Sequence, residues 1–275
     1  MKNIIKTIAA ILAVCVILAG AVFAVKEYKA RIPVITVKEY NLIFTPGDTV
    51  DTGELVEVNV KGDYEYDCNM EYERKCGEMD DNGVLRILDN GQTAMDTIIL
   101  NYTATGSVHK STSESVHIIV QNPISADNSY EVSVSDVRFR VYNNLEDQGN
   151  GVFKRGDGLS VDDYEIVFHS ADSVSSMDEL EKEIKRYAKE KYLLNEETNN
   201  YRSEDVVLSS GKKARKITFS AIRNEGKFLE LRGSSGLLST VVIYAFSEGD
   251  RYFFIDDCNS WGTEYEMEQI ANTVE

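Results

Sequence analysis

The sequence has few of the residues on which catalysis and metal binding most often depend. Only 3 of its 275 residues are histidines, and none lies beside a serine or cysteine motif. A histidine-activated nucleophile is therefore not predicted, because the base must reach the nucleophile by a hydrogen bond. The sequence also lacks the glycine-rich phosphate loop, the Gly-x-Ser-x-Gly elbow and the His-Glu-x-x-His zinc motif. No catalytic residue, cofactor or metal is predicted, and a non-enzymatic protein is favoured.

Basic side chains are also scarce. The chain has 29 Lys and Arg against 46 Asp and Glu, which gives a formal net charge of −17. Both halves share the excess: residues 33–122 carry 16 acidic and 6 basic side chains, and residues 130–275 carry 28 and 18. A surface of this sign repels phosphate backbones and anionic lipid at long range. Nucleic acid is therefore not an expected partner.

The one long apolar run stands at the N-terminus. Lys2 and Lys6 precede an uncharged stretch of 19 residues, from Thr7 to Val25. A basic segment followed by an apolar one is typical of an export signal. The stretch is long for a removed signal and just long enough to span a bilayer. Residues 1–25 are therefore predicted to be a signal peptide or a membrane anchor. The domains would be extracellular on the cell membrane, or secreted if the segment is cleaved.

Four cysteines fit an exported chain. Cys15 lies in the apolar run, and Cys68 and Cys76 lie close together in "DCNMEYERKCG". A Cys68–Cys76 disulfide is predicted, and closing so small a loop would contribute roughly 2–3 kcal/mol. Two free thiols are the alternative, because exported proteins differ in whether their thiols are oxidised. The sequence assigns no role to Cys258.

Residues 33–122 show short alternating runs and no convincing helix. Asn-Gly turns at Asn82 and Asn90 separate several of these runs, which favours a small antiparallel sandwich. The region opens on "PVI" and ends with "YTA" and a second strand after a polar loop. In this pattern it resembles the immunoglobulin-like domains of bacterial surface proteins. It departs from antibody domains in lacking their buried tryptophan.

A stretch rich in Pro, Ser and Asn, residues 123–133, is predicted to be a linker. Residues 134–275 then alternate strand-like runs with two helical segments. The first helix is predicted in "SSMDELEKEIKRYAKEKYLL", where Ser176 and Glu179 form a capping box. The second is the C-terminal "TEYEMEQIANTVE". This order predicts an α+β domain in which helices pack on an antiparallel sheet.

The segment "SSGKKARKITF" suggests a family for this second region. Gly211, Ala214, Ile217 and Phe219 are similar to the Gly-x-x-Ala-x-x-Ile-x-Phe strand of the PsbP-like fold, and an aromatic strand follows from Gly249 to Phe254. The family's closing aromatic residue is replaced by "ANTVE". The resemblance implies an α/β/α sandwich without shared catalytic residues. In that superfamily the fold serves mostly in docking and assembly.

Two surfaces are candidate binding sites. Lys212, Lys213, Arg215 and Lys216 form the densest basic run and could bind an anionic wall polymer or an acidic partner patch. The favoured alternative is the edge of a strand, where lysines oppose unwanted pairing. Tyrosines at 64, 66 and 72 could form a contact surface, although half-buried rings of an ordinary strand are favoured.

These patterns together predict a non-enzymatic envelope or surface protein. It would act as a binding or docking module for another protein or for a cell-wall component, with membrane contact through the N-terminal segment alone. The alternative is an extracellular hydrolase that uses an unrecognised pair of carboxylates in residues 134–275. A deep pocket lined by converging acids would distinguish the second function from the first.

Overall fold

The structure is a computed structural model that describes residues 2–72, 74–155, 165–192, 194–221, 239–257 and 263–275. Side chains are described from residue 15 onward within these ranges, apart from those of residues 239 and 263. Strands are the main regular structure of the described residues, and helices are few. The predicted mainly β character, with a smaller helical part, is confirmed.

Helix α1 extends from Lys2 to Ala30. Within the part of the chain that the structure describes, no helix combines the length and the apolar composition needed to cross a membrane. More than half of the predicted signal or anchor, residues 1–25, lies outside the described side chains. Its role as a signal or an anchor stays a prediction.

The chain forms two compact units. The first unit comprises Met1–Leu88 and Asp96–Val120, and the second comprises Asp89–Met95 and Gln121–Glu275. This division differs from the predicted one in two places. Asp89–Met95 belongs to the second unit, and the last part of the predicted linker, residues 129–133, lies in a strand.

Hydrogen bonds explain why the segment Asp89–Met95 belongs to the second unit. The backbone N–H of Asn122 donates to the carbonyl of Ala94 at 2.8 Å, and its side-chain amide donates to the carbonyl of Thr93 at 2.9 Å. The buried Tyr142 hydroxyl donates to the carbonyl of Asn122 at 2.7 Å. Ala94 is itself part of the apolar core of this unit.

The first unit is built from short strands around one apolar core. Its strands are β1 (Val34–Val37), β2 (Asn41–Phe44), β3 (Thr49–Asp51), β4 (Val56–Asn59), β5 (Tyr64–Tyr72), β6 (Gly77–Met79), β7 (Val84–Ile87), β8 (Met95–Gly106) and β9 (Ser111–Gln121). They form a sheet of order β2-β9-β8-β5, a sheet of order β3-β7-β6, and the pair β1-β4. β2 runs parallel to β9, whereas a purely antiparallel sandwich is predicted.

Turns in the first unit lie where the sequence predicts them. Gly83 adopts a φ of 78°, a conformation that glycine allows at the Asn-Gly turn leading into β7. Strands β8 and β9 flank the polar loop, with alternate residues of β8 buried in the core. The polar outer side of these two strands is linked by hydroxyl pairs such as Thr103 with Ser113, at 3.1 Å.

In its described residues, the second unit contains a hairpin, a seven-stranded antiparallel sheet and two helices. Its elements are β10 (Ser129–Val134), β11 (Val137–Tyr142), β12 (Leu145–Asp147), β13 (Val152–Arg155), β14 (Glu165–Ser170), α2 (Met177–Tyr192), β15 (Arg202–Val207), β16 (Lys213–Ala221), β17 (Ser239–Glu248), β18 (Arg251–Asp257) and α3 (Thr263–Asn272). The large sheet has the order β12-β13-β14-β18-β17-β16-β15, and β10 pairs with β11.

Helices α2 and α3 cover opposite faces of the large sheet. On one face, Leu180, Ile184 and Ala188 of α2 pack with Ile217 and Phe219. On the other face, residues 267, 270 and 271 of α3 pack with β11 and with the remaining residues of β17 and β18. Because both faces are covered, the central strands are buried on both sides.

Helix α2 begins where the sequence predicts. The Ser176 hydroxyl caps it by accepting a hydrogen bond from the backbone N–H of Glu179 at 3.2 Å. The Glu179 carboxylate accepts from the backbone N–H of Ser175 at 2.9 Å rather than from Ser176. The first bond satisfies a backbone donor that a helix N-terminus otherwise leaves open, and the second holds the residue before the cap against the first turn.

We expect Tyr142→Phe to lower the free energy of unfolding by about 1–2 kcal/mol, because it leaves the buried carbonyl of Asn122 without its hydroxyl donor. Chemical denaturation monitored by circular dichroism would measure the change. Tyr40→Phe is the control, because Tyr40 is 55% exposed. Equal stability of the two variants would contradict this role for Tyr142.

Candidate functional site

The basic run occupies the start of β16 and is divided between the two faces of the sheet. Lys216 reaches Glu264 at the start of α3, with a nitrogen–oxygen distance of 2.6 Å. Lys212 reaches Glu248 at 3.1 Å. Arg215 points to the opposite face, towards α2. Alternation along the strand therefore separates charges that are adjacent in sequence.

Arg215 is the most heavily paired of these cations. Its guanidinium contacts Asp205 at 2.8 Å, Asp178 at 2.9 Å and Glu181 at 3.1 Å, while its own side chain is 15% exposed. The hydrogen bonds that Arg215 donates to Asp205 and Asp178 hold its pKa above the ordinary value. The same pairing lowers the pKa of Asp205. Arg215 thus fastens β15, β16 and α2 together.

The geometry gives the four cations no shared binding surface. Three of them neutralise carboxylates of their own unit, and they do so on opposite faces of one sheet. Lys213 is exposed and forms no ion pair in the described part of the chain. Anion binding by this run stays a prediction. The run does stand at the start of a strand, but β16 is paired on both sides, with β15 and with β17, so its lysines do not lie at a sheet edge where they could oppose pairing.

The cysteines also differ from the prediction. Cys68 and Cys76 are free thiols in the structure, so the predicted disulfide is not present. Cys68 lies within β5, beside Tyr102 and Thr52, whereas Cys76 precedes β6 in a different sheet and is fully buried. Burial raises the pKa of Cys68, and it raises that of Cys76 to about 12. Both groups are therefore protonated at neutral pH. Cys258 lies outside the described residues.

A buried polar cluster lies between α2 and the large sheet. Asp256 is fully buried, and its Oδ2 accepts hydrogen bonds from the hydroxyls of Tyr187 at 2.6 Å and Tyr192 at 2.7 Å. Lys191 Nζ lies 3.8 Å from the same oxygen. The spacing of these three residues places them on the sheet-facing side of α2. The cluster offsets the cost of burying a carboxylate.

His169 of β14 lines the same cluster. Its ring stacks on Phe254 with centroids 4.3 Å apart and contacts the ring of Tyr187 at 4.6 Å. Its Nε2 is buried without a hydrogen-bond partner among the described residues. Burial lowers the pKa of His169 to about 4, although Asp256 acts in the opposite direction. The ring is therefore neutral at physiological pH.

This arrangement supports packing rather than a reaction. The Asp256 carboxylate is inaccessible to solvent, and its neighbour Asp257 points to the other face of β18, so the two acids do not converge. Hydrolysis by paired carboxylates needs both groups beside the substrate. Within the described ranges, no group of three His, Cys, Asp or Glu side chains could bind a metal ion.

The most accessible candidate surface lies on β5 of the first unit. In the part of the chain that the structure describes, β8 is its one strand partner, so β5 forms an edge of the sheet. Tyr64, Tyr66 and Tyr72 project to the core side of this edge yet remain 46%, 40% and 40% exposed. Their cross-strand neighbours on β8 include buried Ala104 and Ile98.

One of the exposed tyrosines of β5, Tyr66, packs against a buried tyrosine of β8, Tyr102. The rings of Tyr66 and Tyr102 lie 6.0 Å apart, and the Tyr102 hydroxyl donates to the carbonyl of Thr52 at 2.9 Å. Partial burial raises the pKa of Tyr66 to about 12, so its hydroxyl remains a neutral donor. Between the tyrosines, Cys68 and Met70 are half-buried on the same side.

The sequence matches no protein-family model and no curated protein. The candidate site therefore rests on geometry alone. Sequence reasoning singled out the tyrosines at 64, 66 and 72, but it did not show that their strand lies at an edge. It missed the cluster around Asp256 and His169. The signal for that cluster was available: an acidic pair ends the otherwise apolar run "FFIDD".

We expect Arg215→Ala to reduce the free energy of unfolding by about 1–2 kcal/mol, because three carboxylates lose one well-ordered partner. Lys213→Ala removes an exposed cation from the same strand and should change stability by less than about 0.5 kcal/mol. Urea unfolding of both variants measures the difference. Similar losses in the two variants would contradict the structural role of Arg215.

We also expect His169 to make stability fall as the pH is lowered from 6.5 towards about 4. The unfolded chain binds a proton at its ordinary pKa of 6.5, whereas the folded protein resists protonation down to about 4. His169→Phe keeps an aromatic ring and should flatten this part of the stability curve. Melting temperatures across the range measure it, with the exposed His117→Phe as the control. Parallel curves for wild type and His169→Phe would contradict this assignment.

Proposed function

We propose that the chain is a non-enzymatic envelope or surface protein whose first unit docks another protein. The observation that carries the proposal is the β5 edge, where three tyrosines are each at least 40% exposed beside an unpartnered strand edge of the described chain. Tyrosine gives large contact areas at little cost in conformational entropy and is enriched in protein interfaces. A cell-wall component is the other ligand that the sequence predicts.

The architecture supports the resemblances on which this function also rests. The first unit has short strands in several sheets around one core, as in an immunoglobulin-like spacer. The second unit places a long helix and a C-terminal helix on opposite faces of an antiparallel sheet, as in the PsbP-like fold. We propose these two family assignments. Neither fold fixes a function by itself.

The location is proposed from the N-terminal sequence. Lys2, Lys6 and the apolar stretch from Thr7 to Val25 favour export, with the two units outside the cell. The protein would be anchored to the cell membrane if the segment is retained and secreted if it is removed.

Removing the exposed tyrosines should weaken capture of the partner. We expect Tyr64→Ser/Tyr72→Ser to reduce the amount of envelope protein retained by the full-length chain at least about fivefold, because aromatic side chains dominate the binding energy of such surfaces. Quantitative mass spectrometry of proteins captured from envelope extracts, compared between variants, measures this loss.

The matched control is Tyr40→Ser, which removes a ring elsewhere in the first unit that is more exposed than Tyr64 or Tyr72. It should retain the same proteins as the wild type. Circular dichroism and melting temperature would show that all variants are folded. Identical retention by wild type and the double variant would count against docking through β5.

A further inference from the structure

The β5 edge has two chemically different sides. Residues 64, 66, 68, 70 and 72 face the core and form a row of tyrosine, cysteine and methionine. Glu65, Asp67, Asn69 and Glu71 face the opposite side and are all exposed. A strand added to this edge would extend both rows at once, because side chains of paired strands share the faces of the sheet.

From this alternation we infer the chemistry of the docked segment: an extended strand in which basic residues alternate with apolar or aromatic ones, added to the edge of β5. The inference rests on the proposed docking function and names its partner. The basic residues lie beside Glu65, Asp67 and Glu71, and the apolar residues pack beside the tyrosine row. Backbone hydrogen bonds supply affinity, and the alternating side chains supply specificity.

The backbone of β5 is suited to strand addition. It extends over 9 residues, longer than the other edge strand of its sheet, β2, which has 4. β8 pairs with β5 along its whole length from Tyr64 to Tyr72, which keeps the strand extended. The backbone groups that point away from β8 form no backbone hydrogen bond among the described residues. A second strand could therefore pair without any change in fold.

Charge distinguishes the segments that could pair with the edge of β5. A second copy of β5 would bring its acidic row onto the same face as Glu65, Asp67 and Glu71, and like charges on neighbouring strands are destabilising. The same repulsion excludes acidic segments. The described edge offers no lysine or proline of the kind that commonly blocks strand addition. Its acids thus prevent self-association and leave the edge open to a cationic strand.

The test uses a fluorescent peptide of 9 residues, the length of β5, in which lysine alternates with valine and tyrosine. It is titrated with the purified full-length chain in mild detergent at low salt, and fluorescence anisotropy measures binding. A second peptide carries glutamate at every lysine position. We expect the lysine peptide to bind at least about tenfold more tightly, and added salt to narrow the difference.

Charge reversal on β5 provides the second arm. Glu65→Lys/Asp67→Lys/Glu71→Lys should invert the preference, so that the glutamate peptide binds more tightly. The control, Glu39→Lys/Glu54→Lys/Glu57→Lys, makes the same change in net charge at exposed positions away from β5 and should keep the wild-type preference. If the charge-reversed protein does not fold, comparing the two peptides on the wild-type chain still tests the proposed partner chemistry.

Hydrogen exchange tests the mode of binding. Amides of β5 should exchange at least about tenfold more slowly when the lysine peptide is bound, because strand addition protects the outward-facing N–H groups. Unchanged exchange despite binding would overturn strand addition. Equal binding of both peptides, or of neither, would overturn the partner chemistry. The proposed docking function is tested separately. If the peptides give either of these results but the Tyr64→Ser/Tyr72→Ser variant still captures less envelope protein than the wild type, docking through β5 is supported and only the inferred partner chemistry is wrong.

Discussion

Burial of the central strands on both faces is the constraint on which the second unit depends. Residues 241–246 of β17 and 253–257 of β18 are buried without a break, because α2 covers one face and α3 with the β10–β11 hairpin covers the other. In such a strand no side chain can turn towards water. Asp256 must therefore obtain hydrogen bonds inside the protein, and the tyrosines of α2 supply them. His169 becomes neutral for the same reason.

In the first unit, by contrast, the side chains of β5 are only partly covered. There the sheet ends, and side chains that point to the core side are covered on the β8 side and open on the other. Tyrosine suits this position because its ring can be half-buried while its hydroxyl stays in water. The same edge explains why Tyr102 is fully buried when its neighbour Tyr66 is 40% exposed. Position in the sheet, rather than residue type, separates a core tyrosine from a candidate contact tyrosine.

Local patterns in the sequence predict local structure well in this chain. The helix that starts after Ser176, the hairpin of β8 and β9 and the turn at Gly83 all follow from periodicity, capping and turn chemistry. Pairing over long distances could not be predicted. Nothing in "YEYDCNMEY" indicates that β5 lies at an edge, nor that β2 runs parallel to β9. The free thiols of Cys68 and Cys76 could not be predicted either, because closeness in sequence does not fix where two cysteines lie in the fold.

Strand alternation also determines which charges a partner meets. Lys212, Arg215 and Lys216 are adjacent in sequence, yet each is paired with a carboxylate of its own unit. Cations are already in the minority in this chain, with 29 Lys and Arg against 46 Asp and Glu, and these ion pairs occupy three of them. Glu65 and Glu71 form no ion pair among the described residues, and both are exposed on β5. A densely basic sequence motif therefore forms ion pairs mostly within its own unit, while the accessible strand edge of β5 presents negative charge.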